Sequence, residues 1–431
     1  MESTTSDHVI SIANTNTDLR EEKTWFRFSL PHILRSKKIH CSLVPLASYL
    51  RDKKQSDQDI KKIVHSIKVG VSLVLVSLLY LLDPLYEQVG ENAMWAIMTV
   101  VVVFEFTAGA TLGKGLNRGI GTISGVGLGC LAALFAQYVG GVGHPIIIAI
   151  FVFIFGAAAT YLRLVPNIKK RYDYGVLIFV LTFNLVVVSG LRAEQVLQLA
   201  RQRLLTILLG FIVCISVSVF VFPLWASDEL HRSIVSRFQH LSSAIQGCLE
   251  DSAQLVDEKE REPKARLGAC KSMLDTRLKD ETLVNFAKWE PWHGRFGFSH
   301  PWEEYLKIGD VLRELAAIVV SLGSCLQSST QPLTQSVKEP CEAIWSSLRE
   351  LGDSIKEMRK CGAEAKIMPK LKAVRVELNL VMGQLEMAAV ENSDAAAIAS
   401  LVFLLTEVVN KVEELAKEVD QLGDLAAFRT N

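Results

Sequence analysis

Apolar residues in this chain fall into two regimes that change over near residue 225. Before it come six stretches apolar on every side, at about 63–82, 92–108, 119–139, 145–162, 174–190 and 203–222. After it, apolar positions recur with helical spacing on one face only, over about 227–256, 262–287, 303–328, 333–359, 365–391 and 395–427. A helix apolar all round belongs in lipid or a large core, whereas a one-sided stripe belongs to a water-soluble bundle. A bilayer-spanning helix takes about 20 residues, with a range near 17–25, and six such stretches in succession point to a membrane domain. The predicted fold is all-α: a six-helix transmembrane domain followed by a cytosolic helical domain. Its expected parts are an N-terminal cytosolic arm at 1–62, partly disordered, a transmembrane pore domain at 63–225 and a cytosolic helical domain at 226–431.

The last predicted helix has a sharper pattern. Leu401, Leu405, Val408, Val412, Leu415, Val419 and Leu422 alternate spacings of four and three, the a/d seam of a helix that packs on a partner. The spacing leaves open whether that partner lies in the same chain or in a second copy.

Charge orients the membrane part. Lys61, Lys62 and Lys68 precede or open the first stretch, Lys114 and Arg118 lie in a predicted 109–118 loop, and Arg163, Lys169, Lys170 and Arg171 lie in a predicted 163–173 loop. The opposite loops carry Asp83, Glu87, Glu91 and Glu194, with Arg192 as the one cation. Positively charged loops stay in the cytoplasm, so both termini are expected there. Residues 226–431 hold 25 Lys/Arg against 32 Asp/Glu, and an acidic soluble half does not suit nucleic acid. The eight cysteines show no CxxC spacing, so neither a disulfide framework nor a zinc site is expected. No basic start with a short apolar core opens the chain, so a cleaved leader is not expected either.

Glycines crowd positions 109, 113, 115, 119, 121, 125, 127 and 129. The Gly121/Gly125/Gly129 spacing suits close helix approach. For Gly109 to Gly119 a break between spans two and three is expected, letting Lys114 and Arg118 point at a shared cavity, since irregular backbone at this depth must be buried or wet. A second irregular segment, 288–305, is broken by Pro291 and Pro301 and anchored by Trp289, Trp292, Phe296, Phe298 and Trp302. His293 and His300 have no third ligand beside them, so no metal is expected.

No GxSxG, GxxxxGK[ST], HExxH or dinucleotide fingerprint occurs, so neither an enzyme nor a cofactor is predicted. What remains are charges in apolar surroundings. A cation at the bilayer centre costs roughly 2.5–3.5 kcal/mol on insertion scales and therefore faces a wet path or a partner. Arg118 and Arg203 are the candidates for such a path, because cations lining it favour anions. Arg201 lies two residues from Arg203, about 200° around a helix, so only one of the two can face the path. Glu105 is expected to pair with an arginine or lysine.

The stretches AMWAIMTVVVVFEFTAGATLGKGLNRG (93–119), KKRYDYGVLIFVLTFNLVVVSG (169–190) and WEPWHGRFGFSHPWEEY (289–305) closely resemble the plant aluminium-activated malate transporter family. The resemblance covers roughly 60–310. It implies a homodimeric anion channel carrying malate and other organic or inorganic anions, set in lipid of the plasma or the vacuolar membrane. The plasma membrane is favoured here because no sorting signal stands out. It also implies pore charge at Arg118 and Arg203, with Lys114, Arg163 and Arg171 as further pore or anion-binding candidates, and a role in activity for Glu290. Glu105, Glu290, Glu194 and Glu87 are the candidates for gating or structural support. Members that respond to aluminium carry several acidic residues at the outer ends of the spans, whereas LRAEQVLQ carries only Glu194; a hard trivalent cation takes more oxygen ligands than that. Two alternatives stand beside a passive channel: a proton-coupled exchanger with Glu105 or Asp173 as relay, and a membrane-anchored scaffold whose tail recruits partners.

Overall fold

The structure is a computed structural model that describes residues 57–81, 94–141, 143–190, 196–253, 261–297, 300–328, 335–388 and 393–429. The arm up to residue 56, Glu87 and Glu194 lie outside the described residues. Two units are separable, Met1–Val64 and His65–Asn431. Of the first, the described part is the opening of one helix, where Lys62 meets Asp59 at 3.1 Å.

All regular elements among the described residues are α-helices. Six precede residue 225: α1 (Asp57–Leu81), α2 (Met94–Val103), α3 (Ala108–Val139), α4 (Gly143–Leu164), α5 (Pro166–Gly190) and α6 (Val196–Phe220). Seven follow: α7 (Ala226–Ala253), α8 (Arg261–Met273), α9 (Arg277–Ala287), α10 (Trp302–Ser328), α11 (Gln335–Glu357), α12 (Ala363–Ala388) and α13 (Ser393–Leu425). The all-α expectation holds. Four segments are long and apolar enough to cross a bilayer: α3, α4, Arg171–Val188 of α5 and Arg201–Phe220 of α6. Helix α2 is apolar but only ten residues long. The outward faces suit hydrocarbon rather than water: α4 buries only Ile148 and Ala159, and Phe153, Leu131 and Leu164 stand well exposed.

The apolar helices divide into two packets. One joins α1, α2 and α6 through Val76, Ala96, Val100, Phe104, Cys214 and Val217. The other joins α3, α4 and α5 through Ala132, Ala136, Ile148, Phe183 and Val187. Within the second, α3 and α5 touch almost backbone to backbone. A Cβ at Gly125 would stand 2.9 Å from Thr182 Cβ and 3.0 Å from the Phe179 carbonyl oxygen. Small residues permit this approach and larger ones forbid it.

Three expectations about boundaries are corrected. The break between the second and third apolar helices lies at Phe104–Thr107, and Gly109 to Gly119 are helical. Thr107 is the cause: its side chain caps α3 by accepting from Ala110 N at 3.3 Å. The freed backbone is satisfied locally, since Thr111 Oγ1 accepts from Glu105 N at 3.0 Å and Ala108 N donates to Leu224 O at 2.9 Å. The expected 163–173 loop shrinks to a bend at Val165, with Lys169, Arg171 and Asp173 already inside α5. The expected 262–287 helix is two, divided at Leu274–Thr276, where Thr276 Oγ1 donates back to Met273 O at 2.7 Å.

Helices α7 to α13 share one large apolar core that includes Phe238, Tyr305, Leu312, Leu348 and Leu371. All seven seam residues of α13 are buried in it, so the partner of that seam is within the same chain: α10 and α12, with α11 beside them. Under this core, Asp280 is fully buried and bound by two guanidiniums, Arg237 at 2.6 and 2.7 Å and Arg313 at 2.8 Å. That cluster ties α7, α9 and α10 together.

Candidate functional site

Two cations expected on a path behave differently from the rest. Arg118 sits ten residues into α3, about 15 Å along it, and is only 7% exposed. Its Nη1 donates to the Tyr174 hydroxyl on α5 at 3.1 Å, and its buried Nε has no acceptor. Arg203, on the opening turns of α6, lies over the Trp95 ring of α2 at 4.9 Å, with Nε and Nη1 buried and without acceptors. Among the described residues no carboxylate reaches ion-pair distance of either guanidinium. Arg201 is exposed, so Arg203 is the inward member of that pair.

Lys114 and Arg163, the other candidates, are closed on carboxylates. Lys114 is in direct hydrogen-bond contact with Glu105 and lies 5.9 Å over the Tyr174 ring. The expected pairing of Glu105 with a cation is thus present. Arg163 grips Asp173 with two bonds, of 2.8 and 3.2 Å. Arg171 is exposed and lies over two rings, Tyr172 at 5.5 Å and Trp289 at 5.1 Å. An apolar groove of about 490 Å³ opens between α3, α4 and α5, lined by residues such as Ile120, Phe155, Leu162 and Phe179. It holds none of these cations.

Lys68 was not among the sequence candidates. It is 1% exposed, and among the described residues its ammonium reaches only the Ser218 carbonyl of α6, at 3.5 Å. Reading it with Lys61 and Lys62 as a membrane-edge run was wrong: it lies two turns beyond them, on the face that α1 buries against α6. The available signal was its apolar downstream neighbourhood, VGVSLVLVSLLYL.

Glu290 holds the joint between the apolar helices and the helical half. Its carboxylate accepts from Ala226 N at 2.6 Å, Ser227 N at 3.2 Å and Ser227 Oγ at 2.6 Å, capping α7 from 63 residues away. Positive partial charge at a helix N-terminus favours such an anion. Burial pushes this carboxyl above the usual carboxylate range, while the bonds from Ser227 and Ala226 and the nearby His293 pull it down. The first turns of α3 rest on the same segment. A Cβ at Gly109 would meet Glu290 Cγ at 2.8 Å, and one at Gly113 would meet Trp289 Cδ1 at 3.1 Å. Two of the glycines read as a break, Gly109 and Gly113, are therefore a seat for the WEP segment, and α3 carries Arg118 nine residues beyond Gly109. His293 and His300 belong to no metal-binding group among the described residues.

Comparison with known proteins fits this arrangement. The family profile described as aluminium activated malate transporter matches residues 54–384. Aluminum-activated malate transporter 2 of Arabidopsis thaliana is 40% identical over 384 residues, spanning 86% of this chain and 76% of its own. Aluminum-activated malate transporter 12 of the same plant is 43% identical over 315 residues, spanning 71% and 56%. Aluminum-activated malate transporter 1 of Triticum aestivum is 36% identical over 398 residues, spanning 86% and 84%. With a profile match across most of its length and apolar helices of bilayer length, the chain belongs to the aluminium-activated malate transporter family.

Proposed function

We propose that the chain is a passive anion channel conducting malate and other organic or inorganic anions. The path is lined by Arg118 and Arg203 from both subunits of a homodimer. Six helices cross the membrane, residues 63–225 form the pore domain, and both termini and residues 226–431 lie in the cytosol. The observation that carries this is the contrast among the cations of the apolar helices. Lys114 and Arg163 are neutralised by carboxylates, whereas Arg118 and Arg203 are held by a tyrosine hydroxyl and an indole face, with nitrogens left over.

A charge held without a counter-ion attracts an anion without being quenched by the protein. Conduction needs that attraction to be matched by release, and two separate guanidiniums suit it better than a closed cage. Glu105 and Asp173, the residues a proton-coupled exchanger would use, are each engaged with a cation. Arg203→Ala is expected to abolish nearly all malate current while delivery to the membrane stays normal. Full current in that variant, recorded with malate as sole permeant anion, would remove Arg203 from the path. Dependence of the reversal potential on pH, with anion gradients fixed, would favour coupled exchange.

A further inference from the structure

Beneath the pore helices, four groups share one hydrogen-bonded cluster. Ser227 Oγ is 2.6 Å from Glu290 Oε2 and 3.0 Å from His293 Nε2, and His293 Nδ1 is 2.8 Å from the Pro291 carbonyl. The imidazole lies flat on Trp225, with centroids 3.8 Å apart and planes 16° from parallel. Trp225 belongs to the connection from α6 to α7, Ser227 opens α7, and Glu290 seats α3.

Counting protons in this cluster gives a definite result. A carbonyl oxygen only accepts, so His293 Nδ1 carries a hydrogen, and in a neutral ring Nε2 is then an acceptor. Ionised Glu290 is also only an acceptor. Ser227 has one hydroxyl hydrogen to give and stands between them, so one contact must bring two acceptors together. One added proton removes the conflict in either position. On His293, Nε2–H donates to Ser227 and Ser227 donates to Glu290. On Glu290, the carboxyl donates to Ser227 and Ser227 donates to Nε2.

We propose that Glu290, Ser227 and His293 form a one-proton relay that links cytosolic pH to the seating of the cytosolic helices on α3. The bound proton rests on His293, because the backbone N–H groups of Ala226 and Ser227 at the start of α7 favour an ionised Glu290; every contact is then satisfied and the joint between α3, α6 and α7 is tight. With it lost, one acceptor pair repels and the joint loosens. The surrounding charged groups are Asp228 and His231 on α7, and Lys288, Arg295 and His300 on the connecting segment. Lys114, held by Glu105, lies on α3, and Arg171, over Trp289, lies on α5. Among the described residues only Glu290 comes within ion-pair distance of His293, at 3.9 Å. The regulatory half of the proposal rests on the channel function proposed above; the proton relay itself does not.

The test uses the full-length protein in lipid nanodiscs and in planar bilayers. Protonated imidazole in contact with indole quenches its emission, so tryptophan fluorescence should fall on acidification from pH 8 to 5 with a single-proton slope. That component should vanish in His293→Gln and in Trp225→Phe. In Glu290→Gln an amide donor replaces the proton and the anionic charge is gone, so the midpoint should fall by about one pH unit or more, a tenfold weaker hold on the proton. In bilayers, wild-type malate current should change with cytosolic-face pH by no more than about tenfold per unit, the limit for one linked proton. His293→Gln should flatten that response. An emission that does not titrate, or a Glu290→Gln midpoint equal to wild type, would overturn the relay. Titrating emission with a pH-independent current would overturn its regulatory role. Titrating emission with no anion current at all would leave the relay standing and remove the channel function.

Discussion

A guanidinium and an ammonium are not equivalent occupants of a buried site. The planar guanidinium of Arg203 lies 4.9 Å from the Trp95 ring centroid, a contact worth about 2 kcal/mol or more when desolvated and poorly reproduced by a lysine of different shape and hydration. Arg203→Lys is therefore expected to keep the charge but lose its placement, lowering malate conductance several-fold, with single-channel amplitude as the measurement. An unchanged amplitude would mean that charge alone matters. Arg118 and Arg203 can be singled out in the sequence because each borders a long apolar run. Lys68 cannot, because two lysines six and seven positions upstream disguise it as an edge residue, and burial depends on which face of α1 meets α6. The sequence points to a cation partner for Glu105 but not to Lys114 as that partner, nor to the hold of Asp173 on Arg163, since it shows that a charge exists but not which other lies across from it.

At the level of elements, close contact between α3 and α5 is the feature most exposed to a single substitution. Gly125 has no room for a side chain, since the backbone of Phe179 and the Cβ of Thr182 fill the space a Cβ would need. Overpacking of this kind typically costs about 1–3 kcal/mol. Gly125→Leu should thus lower the melting temperature of the detergent-solubilised protein and reduce current, whereas Gly127→Ala, where a Cβ meets nothing within 4 Å, should do neither. Equal melting temperatures for the two variants would contradict the glycine seam. A second test concerns Asp280, where Asp280→Ala leaves the buried Arg237 without a carboxylate and Arg313 with Asp310 alone. Breaking one side of such a cluster costs about 3–5 kcal/mol, a loss that thermal unfolding of the helical half would register.

The helices α10 to α13 follow the apolar periodicity of the sequence to within about three residues at each end, because one-sided periodicity is a local property. The break after α2 is misplaced in the sequence because glycine is ambiguous: the same residues that end helices also permit close approach. The cap at Thr107, followed by small residues, was the overlooked sign. The α8–α9 division escaped notice for a related reason, since apolar spacing continues across a turn that only the Thr276 bond reveals.

Among the described residues, two apolar packets are joined to the one large core of α7 to α13 through a short connection and the WEP segment. That joint was visible in the sequence only as an aromatic, proline-broken stretch, because its geometry depends on Glu290 reaching across 64 residues to the start of α7. Two histidines beside it, His231 buried and His300 half-buried, set an acid limit on the fold. His231 is bonded to the Tyr305 hydroxyl at 3.0 Å, and burial, aided by Arg295, pushes it down to about 4. His300 is pushed down to about 4 by burial and by His231. In the unfolded chain both regain an ordinary imidazole value near 6.5. Their folded values are the lower ones, so the stability each contributes is fully present above about pH 6.5. It is lost as pH falls toward 4, by something on the order of 2–3 kcal/mol per site. The melting temperature of the purified full-length protein should therefore decline between pH 6.5 and 4. His231→Gln, which keeps a polar group but cannot charge, should show a shallower decline from a lower starting point. A parallel decline in that variant would place the acid sensitivity elsewhere, with the carboxylates that hold Arg237 and Arg313 as the next groups to test.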